Sequence, residues 1–211
     1  MHRVERVSDV LDRRARKRLS TLRALKSAAL ELTLERGLDN VTIDDIAERA
    51  DVSRRTFFNY FTSKHDAIVG VSHDWVVEAA HRLRERPISE PPIVSLGHAL
   101  SKGVEDADLV ERWWPERNEL IRRHPTLLAG QLGALVTVED ELTEALAERL
   151  GLDPDVDPYP RIAVVAAVAV LRSTMDWWHD GRRRGSRADA LADAFDALAR
   201  GLPAPSTHRL A

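Results

Sequence analysis

The segment from Thr42 to Lys64 constrains the fold of this chain more than any other stretch. Thr42 and Asp45 have the spacing of a capping box, with Asp where Glu is usual, so a short helix is predicted to begin there. Asp51 predicts a tight turn after that helix, because Asp tolerates the positive φ that such a turn requires. Ser53 is a residue type that caps helices, and it predicts a second short helix directly after the turn. Together these features predict helix-turn-helix geometry.

Basic residues are concentrated toward the N-terminus of a chain that is acidic overall. Residues 1–65 contain 14 Lys and Arg against 10 Asp and Glu, whereas the formal net charge of the whole chain is −3. Five of the six residues 13–18 are basic, which by itself is equally typical of a solvated, disordered tail. Arg54 and Arg55, however, begin the second short helix, and Arg is well suited to bidentate contact with guanine in a major groove. The expected partner is therefore double-stranded DNA.

The rest of the chain is also predicted to be helical. Apolar residues recur at helical spacing, and no alternating strand pattern bounded by turns is present. We therefore predict an all-α fold of about nine helices. Its expected parts are a flexible basic arm over residues 1–18, a three-helix DNA-binding head over 19–65 that contains the helix-turn-helix, and a larger helical domain over 66–205. Pro115 falls inside a predicted helix over 107–123 and is expected to kink or break it.

The composition excludes several other classes of site. The chain has no cysteine, so disulfides, Cys-based zinc sites, iron–sulfur clusters and thiol nucleophiles are excluded. Its longest apolar run, residues 162–171, is shorter than the roughly 18 residues that a membrane helix needs. No Gly-rich phosphate-binding loop or G-x-S-x-G motif is found. The first residues carry no apolar stretch typical of a secretory signal. We therefore expect a cytoplasmic protein that is not an enzyme, needs no cofactor or metal and has no membrane partner.

The residues around the predicted turn resemble those of a known family. Residues 41–47 read VTIDDIA, residues 50–61 read ADVSRRTFFNYF, and residues 63–64 read SK. In this order and spacing they resemble the DNA-binding head of the TetR family of bacterial transcriptional regulators, over about a quarter of the chain. Two positions depart from the family pattern, since Asp51 stands where Gly is usual and Phe58 where Tyr is frequent.

The resemblance implies a role for individual residues of this head. The implied base readers are Arg54, Arg55 and Asn59. The implied phosphate contacts are Thr42, Ser53, Thr56, Tyr60 and Lys64. Phe58 retains an apolar contact with DNA but lacks the hydroxyl that a tyrosine would donate to phosphate, and Tyr60 can take that role instead. The basic arm over 13–18 is expected to enter the adjacent minor groove.

The resemblance also implies that the larger helical domain binds a small-molecule effector. All five tryptophans lie outside the head, with several polar residues around them, and an apolar cavity with a few polar groups is the usual small-molecule site. The candidate ligand-binding residues are Trp75, His98, Trp113, Trp114, Arg117, Met175, Trp178 and His179. The alternative is that the tryptophans fill the core between helices.

Two predicted helices, over about 160–179 and 187–199, are expected to form a homodimer as a four-helix bundle with their symmetry mates. Residues 163–170 are apolar on nearly every side, which a monomer buries with difficulty; the alternative is a central core helix with no intermolecular role. A two-fold dimer would read a pseudo-palindromic operator. The predicted function is therefore a ligand-responsive, DNA-binding transcriptional regulator, and in particular a repressor released by a small apolar or amphipathic molecule.

Two alternative functions have some support in the sequence. Glu78 and His81, and likewise Asp176 and His179, have the spacing of metal ligands in di-iron helical bundles. One of these pairs has Asp instead of Glu, and the further glutamates that such a site needs cannot be assigned. The other alternative is a protein-interaction module with a vestigial head, and the two intact arginines of the head argue against it.

Overall fold

The computed structural model describes residues 2–69, 73–105, 114–179 and 186–203 of the 211-residue chain. Within these ranges the chain forms helices and no strands, so the predicted all-α fold class is confirmed. The α-helices are α1 His2–Arg36, α2 Ile43–Arg49, α3 Arg54–Phe58, α4 Lys64–Val69, α5 His73–Glu85, α6 Pro92–Glu105, α7 Trp114–Arg123, α8 Pro125–Leu150, α9 Tyr159–His179 and α10 Arg187–Ala199, and a 3-10 helix spans Leu38–Asn40.

The described part contains ten α-helices where about nine were predicted. Two of them, α4 and α5, lie on either side of residues 70–72, which are not among the described residues. α9 and α10 match their predicted bounds to within one residue, because their ends carry strong local signals. At the start of α10, Ser186 Oγ accepts a hydrogen bond from the Asp189 N–H at 3.1 Å, and the Asp189 carboxylate accepts one from the Ser186 N–H at 3.2 Å.

The first helix begins much earlier than the sequence predicted. We expected it from about residue 19, after a flexible arm, but α1 runs without interruption from His2 to Arg36. Residues 2–18 contain neither Pro nor Gly, and their Arg, Leu and Glu residues have good helix propensity. The run of like charges suggested an arm, although the same side chains favour helix. Contact of this segment with a minor groove stays a prediction.

Pro115 lies at the start of a helix and not inside one. We predicted that it would kink a helix over 107–123, whereas α7 begins at Trp114 and Pro115 is its second residue. Proline is tolerated in the first turn of a helix, where its missing N–H would have no intrahelical partner. Residues 107–113, the first part of the predicted helix, lie outside the described residues.

Packing divides the chain into two compact units. The first lies within Met1–His73 and Ala107–Ala134, and the second within Asp74–Asp106 and Leu135–Ala211. This division differs from the predicted boundary after residue 65, because α7 and the start of α8 belong to the same unit as the N-terminal helices.

The first unit has an apolar core to which residues distant in sequence contribute. Leu25 of α1, Ile46 of α2 and Phe57 of α3 are fully buried in it. Ile121 of α7 and Leu127 of α8 belong to the same core. The core beneath α2 and α3 therefore includes residues that follow α3 by more than fifty positions in the chain.

In the second unit, α9 packs against α10 and α6, and α10 also packs against α6. Gly97 of α6 permits a close approach, because a Cβ atom at this position would lie only 2.9 Å from Cγ of Phe195 on α10. The turn between α5 and α6 is held by Arg149 of α8. Its guanidinium donates to the carbonyl oxygens of Pro87 at 2.6 Å and Glu90 at 2.7 Å.

Candidate nucleic-acid interface

The helix cap that the sequence predicts before α2 is present. Thr42 Oγ1 accepts a hydrogen bond from the Asp45 backbone N–H at 3.1 Å, and the Asp45 carboxylate accepts one from the Thr42 N–H at 2.8 Å. The predicted capping box is therefore confirmed. Hydrogen bonds from Thr42 also hold the pKa of Asp45 below its usual value, with a smaller contribution from Arg36.

The turn between α2 and α3 also has the predicted conformation. Asp51 has φ 54°, which is the left-handed region that the tight turn requires. The Val52 N–H donates to the Ala47 carbonyl oxygen at 2.9 Å. Ser53 Oγ accepts from the Thr56 N–H at 3.1 Å and so caps α3. The helix-turn-helix geometry is thus held by hydrogen bonds between residues close in sequence.

Burial decides which face of α3 reaches solvent. Phe57 is fully buried, and its ring centroid lies 5.8 Å from that of Phe61, which is also buried. On the opposite side Arg54, Arg55 and Phe58 are exposed, as is the following residue, Asn59. The side chains that were predicted to reach base edges are therefore brought together on one accessible face.

Arg54 is held by two neighbours on this face. Its Nη1 donates to Asp44 Oδ2 at 2.6 Å, and its guanidinium carbon lies 5.6 Å from the centre of the Phe58 ring. The pair is not buried, since the side chains of Arg54 and Asp44 are 57% and 65% exposed. Arg55 is also exposed, and no ion pair joins it to another of the described residues. Asp44 lies ten positions before its partner in the chain, and its sequence context did not predict this contact.

The hydroxyls that the resemblance assigns to phosphate already take part in the local structure. Thr42 and Ser53 cap α2 and α3, and Thr56 Oγ1 lies 2.8 Å from Ser53 Oγ. Thr42 and Ser53 remain exposed and Thr56 is half-buried, so the three groups are still accessible. Tyr60 is half-buried and packs against the core of the first unit.

Lys64 is bonded to backbone within the first unit. Its ammonium donates to the carbonyl oxygens of Leu38 at 2.7 Å and Val41 at 2.8 Å. An ammonium has three donors, so these two bonds leave one for another acceptor. The structure therefore gives Lys64 a role in fixing the connection between α1 and α2, in addition to the phosphate contact that the resemblance implies.

Ion pairs between α2 and α1 add to the apolar packing beneath the head. Arg49 of α2 lies 3.1 Å from Glu35 and 3.7 Å from Glu31, both on α1. Arg36, at the end of α1, lies 3.3 Å from Asp45 of α2. The spacing of Glu31 and Glu35, one helical turn apart, is the signal that could have indicated a shared partner.

Comparison with known proteins supports this assignment of the segment. The family model described as "Bacterial regulatory proteins, tetR family" matches residues 25–67. A second, described as "MftR C-terminal domain", matches residues 90–203, which is more than half of the chain. The chain belongs to the TetR family of bacterial transcriptional regulators. It is a transcriptional regulator with a helix-turn-helix DNA-binding head, and the resemblance stated from its sequence is confirmed.

Curated TetR-family relatives match most of the chain. The HTH-type transcriptional regulator TcmR of Streptomyces glaucescens is 33% identical over 192 residues, covering 87% of this chain and 83% of that protein. The regulator MftR of Mycobacterium tuberculosis is 40% identical over 195 residues, covering 89% and 93%. Among solved structures, the fatty acid degradation regulator FadR of Bacillus halodurans has a TM-score of 0.51 at 17% identity, covering 85% of this chain and 98% of that one. This last similarity concerns the fold alone.

The candidate ligand-binding residues of this TetR-family chain divide between the two units. Met175, Trp178 and His179 are buried in α9 of the second unit, and Trp75 of α5 is half-buried. His98 of α6 is exposed. Its Nδ1 lies 3.1 Å from the Glu90 carboxylate, so His98 is engaged in a surface pair. Trp113 lies outside the described residues.

The other two candidates, Trp114 and Arg117 of α7, lie in the first unit. The Arg117 guanidinium is buried, and it lies 5.2 Å from the centre of the Trp114 ring. Arg117 donates to the carbonyl oxygen of Ile68 at 3.1 Å and to that of Val69, the last residues of α4. It therefore caps the C-terminal end of α4, a role that the sequence did not predict. Burial, and to a lesser extent the charge of Arg117, lower the pKa of Lys26 on α1 to about 8.

The described residues hold no group of three or more His, Cys, Asp or Glu side chains that could bind a metal ion. His81 instead lies 3.4 Å from Glu85, and Glu78 lies 3.3 Å from Arg82. None of the described helices is long and apolar enough to cross a membrane.

Proposed function

We propose that α3 reads base edges in the major groove through Arg54, Arg55 and Asn59. All three side chains are exposed, and the two arginines lie in the first turn of the helix. A guanidinium presents a planar fork of donors that matches O6 and N7 of guanine. The burial of Phe57 supports the proposal, because it holds α3 with these side chains toward solvent.

The proposal assigns the phosphate contacts to the residues that surround this face. They are Thr42, Ser53, Thr56, Tyr60 and Lys64. Phe58, which is 47% exposed, would make an apolar contact with a thymine methyl group or a sugar. The phosphate contacts position the head on the duplex, whereas the base contacts of α3 give sequence preference.

Selection of binding sites from random-sequence DNA at a defined salt concentration tests these assignments. Arg54→Ala is expected to cost about 1–3 kcal/mol at one base position and to relax the preference there. Lys64→Ala is expected to weaken binding to all sequences alike and to reduce the salt slope by about one. An unchanged base preference in Arg54→Ala would show that this residue does not read a base.

We propose a homodimer formed through α9 and α10. Ile162 of α9 is 63% exposed, and Val165 is also exposed one turn later. Ala188 and Ala192 of α10 are exposed and small enough for close helix contact. An exposed row of apolar and small residues on adjacent helices is typical of an interface. Two recognition helices would then lie about 34–36 Å apart and read a pseudo-palindromic operator.

Sedimentation at micromolar concentration tests the dimer. Ile162→Glu places a charge on the proposed interface and is expected to give monomers with weak operator binding. Val156→Glu is a matched control, because Val156 is 80% exposed in the loop before α9 and outside that interface. A wild-type protein that sediments as a monomer contradicts the proposed dimer.

We also propose that the effector is a small apolar or amphipathic molecule, bound in the second unit near Met175, Trp178 and His179 of α9. These side chains are buried together with apolar residues of the same helix. Effector binding would release the protein, acting as a repressor in the cytoplasm, from its operator. Such coupling between sites is typically about 1–3 kcal/mol and is reciprocal, so DNA should weaken effector binding by the same factor.

Tryptophan fluorescence against a library of apolar and amphipathic compounds identifies candidate effectors. A true effector quenches the wild-type protein, quenches Trp178→Phe less, and has a lower affinity when operator DNA is bound. A compound that binds equally well with and without DNA is not the effector.

A further inference from the structure

The contact between Asp44 and Arg54 joins the two helices of the helix-turn-helix on their exposed side. One oxygen of the carboxylate accepts one hydrogen bond, from Arg54 Nη1 at 2.6 Å. The Phe58 ring lies 5.6 Å from the guanidinium carbon on another side. The guanidinium is therefore oriented by a charge from α2 and a ring from its own helix, while 57% of the side chain stays exposed.

The donors that Asp44 leaves unused are those that a base would need. A guanidinium has five N–H donors, and the Asp44 contact uses one of them. The edge formed by Nε and Nη2 stays available for O6 and N7 of a guanine. An arginine oriented in advance also loses less side-chain entropy when it binds than one that is unrestrained.

Arg55 provides an internal contrast. It stands next to Arg54 at the start of α3 and is also exposed, yet no ion pair joins it to the rest of the described chain. Its full charge is available to any phosphate, whereas part of the charge of Arg54 is offset by a carboxylate that DNA phosphates repel. The two arginines should therefore differ in how strongly they attract unrelated DNA.

We propose that Asp44 is a specificity-determining residue: it holds Arg54 in the orientation that reads a base, and its charge weakens binding to unrelated sequences. The inference rests on the proposed role of Arg54 in base reading. Specificity is the ratio of two affinities, so a carboxylate raises it when it lowers the affinity for unrelated DNA by a larger factor than the affinity for the operator. Because an exposed ion pair contributes little energy, loss of the Asp44 contact should change that ratio by about two- to five-fold.

Asp44→Asn tests the proposal in the full-length protein. Binding is measured to DNA selected by the wild type, to the same DNA with the Arg54-dependent base changed, and to random-sequence DNA. Freed from its partner, Arg54 should bind phosphate, so the salt slope on random DNA should steepen by about one. The preference for the correct base should fall by about two- to five-fold.

Glu48→Gln is the matched control. Glu48 is another exposed acidic residue of α2, and no ion pair joins it to the described residues. The substitution makes the same change in net charge without releasing a guanidinium, so both the base preference and the salt slope should stay close to those of the wild type. Thermal melting of each variant confirms that it is folded before binding is compared.

Three outcomes decide the matter. If Arg54→Ala relaxes the preference and Asp44→Asn does so to a smaller degree, and if Asp44→Asn has no further effect in the Arg54→Ala background, the proposal is supported. If Arg54→Ala relaxes the preference but Asp44→Asn behaves like Glu48→Gln, the role of Asp44 is wrong and that of Arg54 stands. If Arg54→Ala leaves the preference unchanged, both roles are wrong.

Discussion

The ammonium nitrogen of Lys64 lies 2.7 Å from the carbonyl oxygen of Leu38, which precedes it by 26 residues. A second bond, to the Val41 carbonyl at 2.8 Å, completes a contact that fixes the chain before α2. The residue that was expected to bind phosphate is thus also part of the head's internal structure, so its removal should affect both stability and DNA affinity.

Lys64→Met should therefore lower the free energy of unfolding by about 1–3 kcal/mol, because it leaves two carbonyl oxygens without their charged donor. Thermal or urea unfolding measures this effect without DNA. Lys17→Met, at an exposed position of α1, serves as control and should unfold like the wild type. Unchanged stability of Lys64→Met would mean that water replaces the two hydrogen bonds at no cost.

Replacing Lys26 should have the opposite effect. Burial lowers the pKa of Lys26 to about 8 from an ordinary value of 10.5, so the folded state disfavours the charged form. Below about pH 8 both folded and unfolded chains are protonated, and the buried ammonium costs its full penalty. Lys26→Met should then be more stable than the wild type at pH 7, by about 1–3 kcal/mol.

The advantage of Lys26→Met should shrink as the pH rises from about 8 toward 10.5, because the wild-type lysine loses its proton first in the folded state. Urea unfolding of both proteins across this range measures the difference directly, and other groups that titrate cancel between them. An advantage that does not depend on pH would come from packing and not from charge.

Glu90 should make the free energy of unfolding fall at acidic pH. Hydrogen bonds from Arg86, and then Ser95, hold its pKa at about 2, below the ordinary 4.5. A lowered carboxyl pKa contributes stability that is complete above about pH 4.5 and is lost as the pH falls toward 2. Glu90→Gln should lower the free energy of unfolding by about 1–3 kcal/mol at pH 7, and by much less near pH 2. Glu144→Gln, at an exposed position of α8, is the control.

Two helical glycines should respond to alanine in opposite directions. At Gly97 a Cβ atom would lie 2.9 Å from Cγ of Phe195, so Gly97→Ala should force α6 and α10 apart and cost about 1–3 kcal/mol. At Gly133 of α8 a Cβ atom would meet nothing within 4 Å among the described residues. Gly133→Ala should therefore stabilise by about 0.5–1 kcal/mol. Similar effects of both changes on the melting temperature would contradict the packing at Gly97.

The features that the sequence predicted correctly depend on residues near one another in the chain. The caps at Thr42, Ser53 and Ser186 each join residues three apart, and the turn depends on the conformation of Asp51 alone. Periodicity and capping rules describe such interactions directly. This is why the helix-turn-helix and the bounds of α10 were predicted closely.

The contacts that the sequence did not predict join residues far apart in the chain. Lys64 bonds to a carbonyl 26 residues earlier, and Arg117 to one 49 residues earlier. A basic side chain gives no indication in sequence of whether it will bind a ligand, phosphate or its own backbone. The start of α1 was misplaced for another reason, because a run of arginines is compatible with both helix and disorder.

The core that supports α3 includes Ile121 and Leu127, which the chain supplies only after it has passed through the whole of α5 and α6. A fragment that ends at residue 65 would retain each side chain proposed to face DNA, yet it would lose Ala67, Ile68, Ile121 and Leu127 from that core. The helix-turn-helix is consequently not an independent folding unit, because residues of α7 and α8 complete the core on which it packs.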